Sequence, residues 1–217
     1  MVSMQTFRLT VAKSARVFTL GPPAATADKV LFALHGYGQL PEFFLRKFQA
    51  AADAGWAIIA PEGLHRFYVE GTSGRVGASW MTREDRDADI ADYLAYLDQV
   101  ADAFPSRHGS RRVLLGFSQG VATATRWAAA SGRPFEQLIL WAGVFPPDVD
   151  LGPDANRLRD MPLACVLGDA DPFFGVGLLE ETDARLQAAG LAASTYRFSG
   201  GHAICSDTLL RVLGEGS

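Results

Sequence analysis

Apolar and polar positions along this chain fall into two rhythms, separated by short unbroken apolar runs. Residues 6–12 and 15–20 carry Phe7, Leu9 and Val11, then Val17, Phe18 and Leu20, close to every second place. That period predicts two strands, joined at Lys13-Ser14 as an antiparallel hairpin. Apolar runs at 30–34, 56–60, 138–141 and 163–167, and at 112–115 behind Arg112, have the length and branching of strands buried on both faces. A last strand is predicted over 194–198. Between these runs the spacing turns helical. Residues 41–54 put Phe44, Leu45 and Phe48 on one side. Ile90, Leu94, Leu97, Ala101 and Phe104 recur at steps of four and three, which predicts a helix that lays one stripe on the sheet. Its start reads as a capping box at Thr82-Arg83-Glu84-Asp85, and Pro105 ends it. Further helices are predicted over 121–130, 176–189 and 203–213. Residues 62–81 and 144–161 follow neither period. The first of these is long for a connection inside a compact fold, and its aromatics argue against disorder.

Strands alternating with helices in this way predict an α/β fold. It would have a mostly parallel sheet of about eight strands, helices on both faces, and the N-terminal hairpin as an antiparallel edge. No repeat, low-complexity segment or change of composition divides the 217 residues, so one domain over 1–217 is expected.

Composition narrows the range of partners. Hydrophobic residues make up 48% and charged residues 20% of the chain, which is ordinary for a packed domain. A net charge of −4 argues against nucleic acid, which needs a basic face. The basic group Arg107, His108, Arg111 and Arg112 reads as a solvated turn before a strand. No apolar run approaches the ~20 residues of a membrane span. Residues 1–5 are not followed by an apolar segment, so no secretory leader is expected, and the location expected is cytoplasmic. Cys165 and Cys205 stand at neither a zinc nor a redox spacing and read as small buried thiols. The 4 histidines are far apart, and no metal or cofactor is expected. Asp85, Asp87 and Asp89 suit the positive end of a helix rather than a metal site.

Candidate chemistry centres on Gly116-Phe117-Ser118-Gln119-Gly120, which lies between the run at 112–115 and the helix at 121–130. The pattern alone is weak in a chain with 22 glycines. Its setting is what counts, because strand, Gly-x-Ser-x-Gly and helix together describe a nucleophile elbow. Glycines keep the turn free of side-chain collisions, and the serine stands out at the strand's end, beside the first amides of the helix. Two other reactive groups follow other strands: Asp171 in Gly168-Asp169-Ala170-Asp171-Pro172, and His202 in Ser199-Gly200-Gly201-His202. In an open α/β sheet, ligands bind beyond the carboxyl ends of the strands, where all three would sit. The order nucleophile, acid, histidine is that of the α/β-hydrolase arrangement. A serine hydroxyl needs a base to take its proton, and imidazole titrates near neutral pH. A carboxylate must hold the other ring nitrogen. Asp171 is the choice here; Asp169 is its local competitor, with bracing the turn as its expected role. Two donors must meet the oxyanion, and the expected pair is the backbone N–H of Gln119 and of Tyr37 in His35-Gly36-Tyr37-Gly38. His35 itself reads as a structural hydrogen-bonding residue.

Leu34-His35-Gly36-Tyr37-Gly38, the Ser118 pentapeptide, Gly168-x-x-Asp171 and Gly201-His202 together resemble the motifs of the phospholipase/carboxylesterase family, which includes acyl-protein thioesterases and small bacterial carboxylesterases. The resemblance runs from the strand at 30–34 to the last helix. It implies a serine hydrolase without a cofactor, acting on small-molecule carboxylic esters or thioesters. By motif, Ser118, Asp171 and His202 fall on the triad, and Tyr37 and Gln119 on the oxyanion hole. Two departures touch the substrate groove. The family usually continues after its acid with a small apolar residue and proline, whereas this chain reads Pro172-Phe173-Phe174-Gly175. Residues 62–80 are more polar than the family's Pro-rich loop, although Trp80 resembles the tryptophan that follows it. By residue type, Trp80, Phe145, Phe173 and Phe174 are candidates to wall an apolar acyl pocket or, equally, to pack under loops. Arg66, Tyr68 and Arg75 could meet an anionic part of a substrate or brace a long loop. Two other functions stay open: a binding module on a hydrolase scaffold, and the same triad acting on a lactone or peptide.

Overall fold

Side chains alternate sides along a strand, so each central strand feeds two cores at once. In the computed structural model, which describes residues 3–149, 155–174 and 176–215, the strand Lys29–Leu34 (β2) sends Val30, Phe32 and Leu34 to one apolar cluster and Leu31 and Ala33 to another. The remaining strands of the sheet are Val17–Leu20 (β1), Trp56–Pro61 (β3), Arg111–Phe117 (β6), Gln137–Trp141 (β7), Leu163–Gly168 (β8) and Ala193–Phe198 (β9). They form a 7-stranded sheet in the order β1-β3-β2-β6-β7-β8-β9, in which only the β1–β3 pair is antiparallel. This is the α/β-hydrolase class of fold, with helices on both faces.

The two faces are covered by different helices. Arg86–Ala103 (α3) and Gln119–Ala130 (α4) bury Tyr93, Leu97 and Trp127 in the first cluster. The segment from Pro41 to Asp53 and the helix Ser206–Val212 (α7) bury Phe44, Phe48, Leu209 and Val212 in the second. A side chain of this size removed from water contributes about 1.5–3 kcal/mol. Ala155–Arg159 (α5) and Val176–Ala188 (α6) complete the helices. Residues 150–154, inside the predicted irregular stretch 144–161, and Gly175 lie outside the described residues.

Several sequence expectations need correction. The N-terminal hairpin does not form. Residues 6–12 are not a strand, and β1 pairs with β3 in the register Val17↔Pro61 to Leu20↔Ile58, so the sheet has seven strands rather than about eight. Two-residue hairpin loops need positive φ, usually Asn-Gly or Asp-Gly, and Lys13-Ser14 supplies neither. Pairing with β3 sets Phe18 and Leu20 against the core. Phe7, Leu9 and Val11 stay 77–86% exposed, and Arg8 holds the arm to Asp85 at 2.8 and 3.1 Å. The capping box is absent as well: Asp85 stands at the α3 N-cap with φ 47° and makes no capping bond, since its carboxylate faces Arg8. The predicted helix 41–54 is broken into α1 (Pro41–Phe44), a 3-10 turn (Leu45–Phe48) and α2 (Gln49–Asp53). Residues three apart share a side of a 3-10 turn, and there Leu45 and Phe48 are both buried. The stretch read as irregular at 62–81 contains a hairpin, His65–Tyr68 (β4) with Val76–Ser79 (β5).

Candidate active site

Ser118 directly follows β6, at φ 55° and ψ −117°. This conformation is rare for a residue with a side chain and costs on the order of 1–3 kcal/mol. The surroundings hold it there. Ser118 N–H donates to the Trp141 carbonyl at 2.9 Å, and the Ser118 carbonyl accepts from Val121 N–H at 3.0 Å. The elbow closes because two positions lack a Cβ. One added at Gly116 would lie 2.2 Å from the Gly120 carbonyl oxygen, and one at Gly120 would lie 2.3 Å from that of Leu34. Only glycine lets these backbones approach so closely. The first turn of α4 begins immediately after the serine.

The loops after β8 and β9 are tied to each other. Asp169 N–H donates to the Phe198 carbonyl and Ala170 N–H to that of Gly200, each at 2.9 Å. This brings Asp171 to His202, with Asp171 Oδ2 2.8 Å from His202 Nδ1. The other carboxylate oxygen, Oδ1, accepts from the Phe173 N–H at 2.9 Å and the Phe174 N–H at 3.2 Å. The Asp171 side chain is 0% exposed. Asp169 points elsewhere and pairs with Arg197 at 2.6 Å. The imidazole lies among three aromatic rings, with centroids at 4.8 Å for Phe117, 4.9 Å for Phe173 and 5.8 Å for Phe174. His202 thus packs against Phe117, the residue before Ser118. Among the described residues, neither Ser118 Oγ nor His202 Nε2 has a hydrogen-bond partner.

The loop after β2 abuts the elbow, since a Cβ built on Gly36 would lie 3.0 Å from that of Ser118. Gly38 N–H donates to the Ala78 carbonyl at 2.9 Å, and Ala78 N–H returns a bond to Gln39 at 3.0 Å. Gly36 N–H is taken by Gln39 Oε1 at 2.8 Å. The amides of Tyr37 and Gln119 have no acceptor among the described residues. The Gln119 side chain turns away from the elbow: its Nε2 donates to the Met81 carbonyl at 2.8 Å and its Oε1 accepts from Trp80 N–H at 3.1 Å.

His35 is fully buried. Its Nδ1 lies 2.8 Å from the Gly36 carbonyl, and its Nε2 accepts from Gly63 N–H at 3.0 Å, so the neutral ring carries its proton on Nδ1. Burial pushes its pKa down to about 4. The unfolded chain takes up a proton near pH 6.5, and the folded chain resists doing so until about 4. The stability this neutral ring confers is therefore complete above pH 6.5 and is lost as pH falls from there to about 4, by about 3 kcal/mol. Urea midpoints at pH 7 and pH 4.5 should show this loss, and a His35→Gln variant should show a shallower one. Equal slopes in the two proteins would contradict it.

A cleft of about 850 Å³ opens beside His202, lined among others by Tyr37, Phe43, Lys47, Arg75, Phe117, Phe173 and Ile204. Of the four aromatic residues proposed from sequence for the acyl pocket, only Phe173 lines it, at 71% exposed. Phe174 packs beside His202 behind it. Trp80 and Phe145 do not reach the cleft, because both are buried in the core. The Trp80 indole N–H finds an acceptor in the His35 carbonyl at 2.8 Å, which draws the ring inward. Phe145 packs with the first cluster under the Arg185 guanidinium, 5.1 Å from its ring. Of the three loop residues, Arg66 braces Glu62 at 3.6 Å, Tyr68 is exposed, and Arg75 lines the cleft. Sequence reading missed Phe43, Lys47, Phe117 and Ile204 as cleft residues. Phe117 could have been found as the neighbour of Ser118, but the other three carry no such signal.

Among solved structures, esterase PE8 is similar over 94% of this chain and 99% of its own, at 21% identity and a TM-score of 0.71. Acyl-protein thioesterase 2 of Zea mays is similar over 93% and 97%, at 19% identity and a TM-score of 0.68. The carboxylesterase of Bacillus cereus is similar over 91% of each chain, at 15% identity and a TM-score of 0.65. Likeness at these identities speaks to the fold alone. No curated protein matches the chain. The sequence model of one family matches residues 17–213, from the start of β1 to the end of α7. The chain is therefore a member of the phospholipase/carboxylesterase family of α/β-hydrolases.

Proposed function

We propose that the protein is a serine hydrolase that cleaves carboxylic esters or thioesters through an acyl-enzyme on Ser118. The observation that carries this reading is the buried Asp171 carboxylate 2.8 Å from the Nδ1 of a histidine that packs on Phe117, next to a strained serine. With Nδ1 held by Asp171, Nε2 is left free to act as base. Ser118 Oγ attacks the carbonyl carbon and its proton passes to His202 Nε2. The oxyanion takes up the N–H groups of Tyr37 and Gln119, which have no other acceptor among the described residues. The C–O or C–S bond then breaks, and the proton on Nε2 goes to the departing alcohol or thiol. Water repeats the attack on the acyl-serine: its proton goes to His202 and on to Ser118 Oγ, and a carboxylic acid leaves. A binding module would have no need of a strained serine beside unpaired amides. A lactone or peptide substrate would use the same steps.

The test is covalent. A fluorophosphonate should label the protein once, on Ser118, and abolish hydrolysis of short acyl esters and thioesters in proportion to labelling. A protein that resists the reagent and turns over none of these substrates would refute the proposal.

A further inference from the structure

The chain carries a net charge of −4, yet the lining of its cleft contains two cations, Lys47 and Arg75, and no acidic residue. Neighbouring cations are paired: Arg46 lies 3.9 Å from Glu42, and Arg66 lies 3.6 Å from Glu62. Lys47 and Arg75 have no ion-pair or side-chain hydrogen-bond partner among the described residues. Both are exposed, and both rise from anchored backbone. Lys47 belongs to the 3-10 turn whose Leu45 and Phe48 are buried in the core. Arg75 sits at the foot of β5, where its carbonyl accepts from Val69 N–H at 2.8 Å. That hairpin is seated on the loop carrying Tyr37, so closely that a Cβ at Gly77 would lie 2.5 Å from the Gly38 carbonyl oxygen. Much of the remaining lining is apolar, with Phe43, Phe44, Phe117 and Phe173.

We infer that the cleft selects esters or thioesters carrying an anionic oxygen group, a carboxylate or a phosphate, several bonds from the reacting carbonyl, with that group held by Lys47 and Arg75. The inference rests on the hydrolase reading above and narrows its substrate class. An apolar spacer would lie on the aromatic lining, and the charge would meet the two unpaired cations of the same cleft. Asp171 does not oppose it, since its carboxylate is buried behind His202 and satisfied by three donors.

The experiment compares kcat/KM within two matched pairs. One pair is the para-nitrophenyl half-ester of adipic acid against para-nitrophenyl hexanoate, which puts the charge on the acyl chain. The other is hexanoyl glycerophosphate against hexanoyl glycerol, which puts it on the alcohol. At low salt at least one anionic member should lead its neutral partner by about tenfold, chiefly in KM, and that lead should shrink as salt rises. Lys47→Gln and Arg75→Gln should each cut the ratio severalfold, the double variant should bring it close to one, and Arg75→Lys should keep most of it. The pair that responds tells a carboxylate on the acyl side from a phosphate on the alcohol side. Ratios at or below one in both pairs, or a ratio unmoved in the double variant, with neutral esters still hydrolysed, overturn this inference and leave the hydrolase reading standing. Failure to hydrolyse all four esters, together with failure to react with a fluorophosphonate, overturns both.

Discussion

Replacing Ser118 by alanine is expected to lower kcat/KM for every ester and thioester by about 10⁴- to 10⁶-fold, on the nucleophile reading proposed above. The variant removes one oxygen and keeps a Cβ, so the elbow's contacts with Trp141 and Val121, which are made by backbone, persist. Circular dichroism and the melting temperature should therefore match the parent closely while turnover disappears. What remains should be the modest acceleration of two amides aimed at a carbonyl. Undiminished turnover in this variant would remove Ser118 from the chemistry and with it the proposed mechanism.

Asp171→Asn should cost nearly as much, about 10³- to 10⁴-fold in kcat. The reason lies in the two backbone donors on Oδ1, Phe173 N–H and Phe174 N–H. An asparagine there can satisfy them only with its carbonyl oxygen. Its NH2 group then faces His202 Nδ1, which must present a lone pair and carry its proton on Nε2. That tautomer cannot accept a proton from Ser118. Asp169→Asn is the matched control, since that side chain is half exposed and pairs with Arg197 rather than His202; an exposed pair contributes little, and turnover should stay within about twofold. Equal losses in the two variants would mean that the turn, not the carboxylate, is what counts.

Most of the scaffold was legible in the chain because buried parallel strands are written as apolar runs. The runs at 30–34, 56–60, 112–115, 138–141 and 163–167 all became central strands. The meeting of Asp171 with His202 was legible for a related reason, because each follows a strand whose carboxyl end faces the same edge of the sheet. Patterns without a burial consequence misled. Phe7, Leu9 and Val11 alternate as a strand would, but no turn residue folds them back, and they find no sheet. The hairpin β4–β5 was invisible because His65, Arg66, Phe67 and Tyr68 are all polar, aromatic or both, so nothing marks their alternation. Trp80 shows what single-residue reading cannot resolve. An aromatic in a polar loop looks the same whether it borders a ligand or plugs the core, and here one N–H bond to His35 decides for the core. Lys47 was equally opaque, since a lysine on a helical segment reads as an ordinary solvated side chain.

The positive φ at position 118 sets stability against the choice of side chain. Glycine would adopt those dihedrals with little penalty, whereas serine is held in them against its own preference. Selection for thermal endurance alone would thus drift toward glycine at 118 and erase the hydroxyl. On the proposed mechanism, position 118 is thus a place where robustness and chemistry pull in opposite directions.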